Sequence, residues 1–158
     1  MRPQLSLAGI LFAVALGTVL GNNTYLLDRG DGTVLDRRSG LIWQKCSRGQ
    51  TYNGDSCESP AVGIPWRGAA EYCSRLRLAG KRWRLPDIQE LESLVDDSRK
   101  NPYINLDMFP GTVPYEYWSS STFVDHQGVW IYVYSFQRAY KFGVRGGRYL
   151  VRCVSDSR

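Results

Sequence analysis

The stretch Trp83-Arg84-Leu85-Pro86-Asp87-Ile88-Gln89-Glu90-Leu91-Glu92-Ser93-Leu94-Val95-Asp96 decides the fold, because it joins a strand end, a proline turn and a short amphipathic helix. Asp87 occupies the N-cap position, and Glu90, three residues later, can return a hydrogen bond to the cap backbone. The apolar positions share one helical face, namely Ile88, Leu91, Leu94 and Val95. The pattern therefore predicts a helix that covers a sheet, and it carries no catalytic chemistry.

Residues 1–21 have the composition of a secretory signal peptide. Met1-Arg2 carries one positive charge, and the uncharged run that follows has its apolar core at 5–20. That core is short for a bilayer span, which needs about 20 apolar residues, and Val19-Leu20-Gly21 supplies the small-residue pattern of a cleavage site. We therefore predict a signal peptide over 1–21 and a single domain over 22–158, exported to the periplasm, the cell surface or the extracellular space. An uncleaved anchor is the alternative, and membrane contact would then run through this segment alone.

The charge balance is mildly basic. The chain has 20 Lys and Arg against 15 Asp and Glu, a formal net charge of +5 at pH 7. An excess of this size does not predict nucleic-acid binding. For an exported domain it favours acidic partners such as sulfated or uronic polysaccharides, lipopolysaccharide or membrane surfaces.

The four cysteines favour two disulfides, because all of them lie in the part predicted to be exported. Composition allows three pairings. Cys46 and Cys57 flank a polar loop, whereas Cys73 lies on a predicted helix and Cys153 on the last predicted strand, so the spacing favours Cys46–Cys57 and Cys73–Cys153. A zinc site is the alternative, but there is no C-x-x-C pair and His126 is the only histidine. We predict neither a metal nor a cofactor.

The rest of the pattern predicts an α+β domain. Residues 25–44 read as three short strands separated by two Asp-to-Gly turns. Asp28, Asp31 and Asp36 fit turn chemistry better than a calcium loop, because the order of an EF-hand is missing. Another helix, earlier in the chain than the one that Asp87 caps, is predicted over 66–78 and is expected to end before Gly80. The remaining predictions are loops over 47–65 and 101–114 and strands over 117–124, 127–136, 139–144 and 149–154.

The strand predicted over 127–136 is apolar on both faces. Val129, Ile131 and Val133 alternate with an aromatic row of Trp130, Tyr132, Tyr134 and Phe136. We expect the aliphatic row to pack on the helices. The aromatic row is expected to be buried under the loops in preference to forming an exposed platform.

Several short motifs occur in order along the chain, and together they resemble the Lcl C-terminal domain, named for a Legionella collagen-like adhesin. They are Asp31-Gly32-Thr33-Val34-Leu35-Asp36, Ser39-Gly40-Leu41-Ile42-Trp43-Gln44, Trp83-Arg84-Leu85-Pro86 with Glu90-Leu91, Phe109-Pro110, Tyr117-Trp118-Ser119-Ser120-Ser121 and Val151-Arg152-Cys153-Val154. The resemblance implies a C-type lectin-like fold, similar also to the formylglycine-generating enzymes, with two helices packed on an antiparallel sheet. It also implies a bridge from the first helix to the last strand, which is Cys73–Cys153 here.

The sequence lacks two features of relatives of this fold. The Glu-Pro-Asn, Gln-Pro-Asp and Trp-Asn-Asp elements of calcium-dependent lectins are missing, and so are the Gly-x-y repeats of collagen-like adhesins. The copper chemistry of the formylglycine-generating enzymes needs a reactive cysteine pair, which bridging of all four cysteines would remove.

Residues that could support catalysis all have structural explanations. Asp125-His126 reads as a hairpin turn, Glu90 as part of a capping box, and Ser119 to Ser121 as a strand. With one histidine and no catalytic motif, we predict that the protein is not an enzyme.

Two groups of basic residues remain as candidate binding determinants. The first contains Arg75, Arg77, Lys81, Arg82 and Arg84; the second contains Arg138, Lys141, Arg145, Arg148 and Arg152. Arg forks suit sulfates and carboxylates, and the second group has aromatic neighbours. The predicted ligand site is Arg138, Lys141, Arg145 and Arg148 with Trp130, Tyr132 and Tyr140. Solvated charges on hairpin turns are the alternative, because alternating strand residues do not all converge.

The sequence therefore predicts an exported, non-catalytic binding domain with adhesin-like recognition of acidic glycans at the cell surface. The alternative is a protein interaction module, or an accessory subunit of a cell-envelope assembly, that uses the loops over 47–65 and 101–114. The sequence is compatible with a homo-oligomer.

Overall fold

A computed structural model describes residues 25–137, 139–144 and 146–156, so the predicted signal peptide lies outside the described residues. In chain order the elements are β1 (Leu26–Asp28), β2 (Thr33–Asp36), β3 (Leu41–Gln44), β4 (Thr51–Tyr52), β5 (Cys57–Glu58), α1 (Trp66–Arg75), α2 (Ile88–Ser93), β6 (Glu116–Asp125), β7 (Gly128–Ser135), β8 (Ala139–Gly143) and β9 (Val154–Asp156). All strand pairings in these sheets are antiparallel. The α+β class and the two helices are confirmed.

The strands are divided among three sheets, whereas the sequence predicted helices on one sheet. The first sheet has the order β1-β2-β3-β9, the second is the hairpin β4-β5, and the third has the order β6-β7-β8. The chain ends in the sheet in which it begins, because β9 pairs with β3. The β6-β7-β8 sheet is therefore formed by a long excursion between β3 and β9.

The helix α2 begins as its sequence predicts. The Glu90 amide donates to Asp87 Oδ1 at 2.7 Å, and the Asp87 amide donates to Glu90 Oε2 at 2.8 Å, which completes the capping box. The helix buries Leu91 against the core and ends at Ser93, with Leu94 as its C-cap. The short helix therefore fixes the direction in which the chain leaves the Trp83–Pro86 segment.

The helix α1 is shorter than the predicted span of 66–78. It ends at Arg75, because Leu76 adopts an extended ψ of 126° and its amide turns back to the Cys73 carbonyl. Ala79 and Gly80 both have positive φ, which no continuing helix allows. Leu76 and Leu78 still pack against the core from outside the helix.

The predicted strand over 149–154 is wrong in position. Tyr149 and Leu150 make isolated bridges to Ile64 and Tyr117, and the strand proper begins only at Val154. The segment from Leu150 to Ser155 is buried at every residue. Its residues contact several elements at once, and the Gln44 amide donates to the Cys153 carbonyl. Most of the segment is therefore buried without being a regular strand.

Two disulfides fix the fold, and both predicted pairings are confirmed. Cys46–Cys57 closes a short loop around the β4-β5 hairpin, with a sequence separation of 11. Cys73–Cys153 spans a separation of 80 and joins α1 to the segment that leads into β9. Both cysteines of the long link are fully buried.

The two faces of β7 have different surroundings. Ile131 and Val133 are buried in a cluster with Ala69 and Cys73 of α1, so the prediction that the aliphatic row packs on the helices holds for α1, while Val129 at the hairpin end is exposed. The helix α2 packs on the aromatic side instead, because its Leu91 shares a cluster with Tyr134 and Phe136. On the other face Tyr134 and Phe136 are buried, but Trp130 and Tyr132 are only half-buried. The predicted burial of the aromatic row thus holds for its second half only, because the end of the β6-β7 hairpin extends beyond the helices and loops.

No helix within the described residues is long and apolar enough to cross a bilayer. The two disulfides are consistent with an exported protein.

Candidate ligand-binding site

Several of the residues considered for catalysis form structural hydrogen bonds. The hydroxyl of Ser119 donates to the Tyr132 carbonyl at 2.6 Å, and Ser121 Oγ accepts from the Ile88 amide at 3.0 Å. Glu90 serves the capping box. These groups therefore position β6 against β7 and α2.

The three aspartates of the first hairpins serve turns, as their spacing predicted. Asp28 Oδ1 accepts from the Gly30 amide, Asp31 Oδ1 from the Thr33 amide, and Asp36 Oδ1 from the Arg38 amide. Asp28 also accepts from the buried ammonium of Lys45 at 2.5 Å. Burial alone would raise the pKa of Asp28, but the hydrogen bonds from Lys45 and Gly30 outweigh it and hold that pKa below its ordinary value.

The predicted C-terminal ligand residues do not all gather at one place. Arg138 and Arg145 lie outside the described residues, and for Tyr140 and Lys141 only the backbone is described. In the β7-β8 register Tyr140 stands opposite Tyr134 and Lys141 opposite Val133, so these two positions belong to opposite faces of the sheet. The predicted site as a whole stays a prediction.

Arg148 is exposed and lies away from the ring pair of Trp130 and Tyr132. Its carbonyl lies against Gly63, where a Cβ atom would meet it at 2.7 Å. The next ring, Tyr149, contacts Trp118 with centroids 4.6 Å apart. Trp118 pairs with Val133 and therefore marks the α1 side of the sheet, opposite to Trp130.

Arg152 was counted as a candidate binding residue of the second basic group, and the structure corrects this: Arg152 is 0% exposed. Its guanidinium donates to the carbonyls of Gln44 and Lys45 and to the hydroxyls of Ser47 and Thr112. Burial lowers the pKa of Arg152 from its ordinary value. A surface ligand cannot reach this cation, and its role is to hold chain segments together.

The first basic group is also divided. Arg84 forms a bidentate pair with Glu90, both contacts at 2.8 Å, and reaches Asp156 at 3.0 Å. The hydrogen bonds that Arg84 donates to Glu90 raise the pKa of Arg84, against the effect of burial. Only Arg75 and Arg77 of this group line the groove described next.

An open groove of about 560 Å³ runs along α1, and we call it the basic groove. Its lining residues are Arg48, Ile64, Pro65, Gly68, Glu71, Tyr72, Arg75, Leu76 and Arg77. Apolar side chains and Gly68 form much of the surface, and three guanidinium groups stand along it. Glu71 is the acidic residue among the lining residues, and it pairs with Arg75 at 2.8 Å.

Arg48 is the residue of this groove that sequence reasoning missed. Its side chain donates to the Val62 carbonyl at 3.1 Å, and its guanidinium carbon lies 5.7 Å from the centre of the Tyr72 ring. The Tyr72 hydroxyl accepts from Gln44 Nε2 at 2.8 Å, which fixes the ring. Because Arg48 stands alone in a polar loop, no local pattern marks it, and only the folded chain brings it to α1.

The basic groove combines cationic groups with apolar surface. Three arginines against one glutamate leave a local charge of about +2, which attracts sulfate or carboxylate groups. Arg forks bind such groups with two parallel hydrogen bonds. The ring of Tyr72 and the neighbouring apolar residues offer a flat apolar surface beside these cations. Within the described part of the chain, no cluster of His, Cys, Asp or Glu is suited to hold a metal ion.

Comparison with known proteins gives one family. Residues 32–155 match the family model of the Lcl C-terminal domain. Neither a curated protein nor a solved structure matches the chain. The match covers every element from β2 to β8 and most of β9.

Proposed function

The chain belongs to the Lcl C-terminal domain family, and from that membership we propose an adhesin-like, non-catalytic binding domain that recognises acidic glycans at the cell surface. Its fold is proposed to be C-type lectin-like. The observation that carries the glycan proposal is the basic groove, where Arg48, Arg75 and Arg77 line one cavity together with Tyr72.

The groove suits a polymer better than a small enclosed ligand. It is open along α1, so a chain of sugars can lie across it and present one acidic group to each arginine. Arg148 is an exposed arginine whose backbone lies against Gly63, the residue before the groove residue Ile64. Binding of this kind weakens with salt, since exposed charges are screened over about 8 Å at physiological ionic strength.

The test is the affinity of the purified domain for heparin-type chains. In the double variant Arg75→Gln/Arg77→Gln we expect about tenfold weaker binding, because two exposed contacts of about 0.7 kcal/mol each are lost. The matched control is Arg37→Gln/Arg82→Gln, which removes the same charge at two exposed residues outside the groove. We expect that control to stay within about twofold of the parent.

Salt and chelator complete the experiment. A rise in salt should weaken binding. A chelator should leave it unchanged, because calcium is held by oxygen ligands, whereas the groove binds its ligand through guanidinium groups. If both double variants weaken binding equally, net charge and not the groove explains the affinity. If no acidic glycan binds at low salt, the proposal fails.

A protein partner is the second candidate, and one observation favours it. The two predicted interaction loops touch: Gln50 Nε2 donates to the Gly111 carbonyl at 3.1 Å. The loops are thus in contact, and each carries an exposed apolar side chain, Val62 in the first and Leu106 in the second. Release of a stoichiometric partner by Val62→Ser/Leu106→Ser, with glycan binding unchanged, would support this function over the first.

A further inference from the structure

The β6-β7-β8 sheet carries a second concave feature on the face turned away from α1, and we call it the aromatic cleft. It has a volume of about 220 Å³ and is lined by Phe123, Asp125, Trp130 and Phe142. Since drug-sized pockets measure roughly 300–1,000 Å³, this cleft fits one small group. Its residues come from all three strands of the sheet.

The rings of the outer strands lean toward each other over β7. Phe123 stands opposite Trp130 in the register, and Phe142 stands opposite Tyr132. The centroids of Phe123 and Phe142 are nevertheless only 6.1 Å apart, and those of Tyr132 and Phe142 are 5.0 Å apart. Four rings from three strands therefore gather around the cleft and its edge.

Asp125 places a negative charge in the wall of the cleft. Its Oδ1 accepts from the amides of Gln127 and Gly128, at 2.8 and 3.1 Å, and from the Trp130 indole Nε1 at 3.1 Å. These bonds fix both the carboxylate and the indole ring. Among the described residues, Asp125 Oδ2 receives no hydrogen bond.

The exposure of the rings needs an explanation, because Phe123 is 43% and Phe142 55% exposed. Rings that served only the core would be covered, as Tyr134 and Phe136 are on the same face. Exposed apolar side chains that gather at one place mark interaction sites. The cleft is independent of the basic groove, since α1 packs on the opposite face of the sheet, beside Ile131 and Val133.

We propose that the aromatic cleft binds a quaternary ammonium group of the choline type. The electron-rich faces of aromatic rings attract a cation within about 6 Å of the ring centroid, and the Asp125 carboxylate supplies the countercharge. A primary ammonium would lose hydrogen bonds to water that the one available carboxylate oxygen cannot replace. A trimethylammonium group has no N–H to satisfy, and its methyl groups fit apolar walls.

The experiment titrates the purified domain with choline and, separately, with 3,3-dimethylbutan-1-ol, and follows the Trp130 indole N–H signal by NMR. The alcohol has the shape of choline but carries no charge. We expect saturable binding of choline and at least about tenfold weaker binding of the alcohol. Equal affinities would overturn the proposal, since they would show an apolar cleft without recognition of charge, and so would the lack of saturation by choline.

Three variants locate the site. Phe142→Leu keeps an apolar side chain but removes a ring, and Asp125→Asn keeps the oxygen that accepts the turn amides but removes the charge; each should weaken choline binding about fivefold. Tyr115→Leu is the matched control, because it removes an exposed ring outside the cleft, and it should bind choline like the parent. If Tyr115→Leu weakens binding as much as Phe142→Leu does, the cleft is not the site.

The source of the ammonium group is tested with phosphatidylcholine vesicles. Sedimentation of the domain with these vesicles, reduced by Phe142→Leu and by free choline, would identify a lipid headgroup. Choline titration without sedimentation would identify a soluble ligand. Both results support the cleft, whereas the lack of both overturns it.

Discussion

Replacing Arg152 with lysine tests whether this buried arginine holds the fold. Its guanidinium is fully buried and donates to the carbonyls of Gln44 and Lys45 and to the hydroxyls of Ser47 and Thr112. Two nitrogens share these four acceptors, Nη1 taking the carbonyls and Nη2 the hydroxyls. The acceptors come from two distant parts of the sequence, which the planar fork joins.

The expected loss follows from the geometry. A lysine ammonium is one nitrogen on a flexible stem and cannot stand at both Nη positions at once. About two of the four hydrogen bonds are therefore lost, and each bond from a charged donor contributes about 1.5–3 kcal/mol. The guanidinium Nε has no hydrogen-bond partner among the described atoms. Removing this buried unpaired donor offsets a small part of the lost stability. We expect Arg152→Lys to lower the free energy of unfolding by about 3 kcal/mol.

Urea unfolding of the oxidised protein measures this change. With a slope of about 1.5 kcal/mol per M for a domain of this size, the midpoint should fall by about 2 M at unchanged slope. The control is Arg148→Lys, an exposed arginine in the same part of the chain, which should change stability by less than about 0.5 kcal/mol. If Arg152→Lys matches that control, the guanidinium fork does not hold the segments together.

Two further predictions concern stability. Gly63→Ala places a Cβ atom 2.7 Å from the Arg148 carbonyl oxygen and should lower the free energy of unfolding by about 1–3 kcal/mol, measured by urea unfolding. The control Gly146→Ala, whose Cβ atom meets nothing within 4 Å, should leave the stability unchanged. Equal effects of the two variants would contradict the close approach at Gly63. Asp28 has a lowered pKa, so its stabilising contact with Lys45 is fully present above about pH 4 and is lost as the pH falls through the lowered value. The gap in urea midpoint between the parent and Asp28→Asn should therefore stay constant from about pH 7 to pH 4 and close as the pH falls toward pH 2, and a gap independent of pH would refute this account.

The features that the sequence predicted correctly depend on local signals. The capping box of α2 needs only Asp87 and Glu90, three residues apart, and both of its hydrogen bonds form. The Asp-to-Gly turns between β1, β2 and β3 likewise depend on contacts two residues apart. The disulfide pairing was predictable on a different basis: Cys46 and Cys57 flank one short loop, and the family resemblance implies the long bridge from the first helix to the last strand, Cys73–Cys153.

The features that it missed depend on where distant segments meet. Arginine is expected at the surface because burial of a charge is costly. Arg152 is buried only because the folded chain surrounds it with acceptors from segments before α1 and before β6. The last predicted strand was placed wrongly for the same reason. Residues 150–155 are all buried, so the alternation of buried and exposed residues that marks a strand is absent there.

The same arrangement explains how the basic groove is built. The Arg48 amide donates to the Val151 carbonyl at 2.9 Å, and the Arg152 guanidinium holds Ser47, the residue before Arg48. The backbone that presents Arg48 to α1 is thus fixed by the residue next to Arg152 and by Arg152 itself. The buried Arg152 thus helps to hold Arg48 in the groove. A sequence that shows both only as basic residues cannot tell them apart, because the difference lies in the acceptors that each side chain meets after folding.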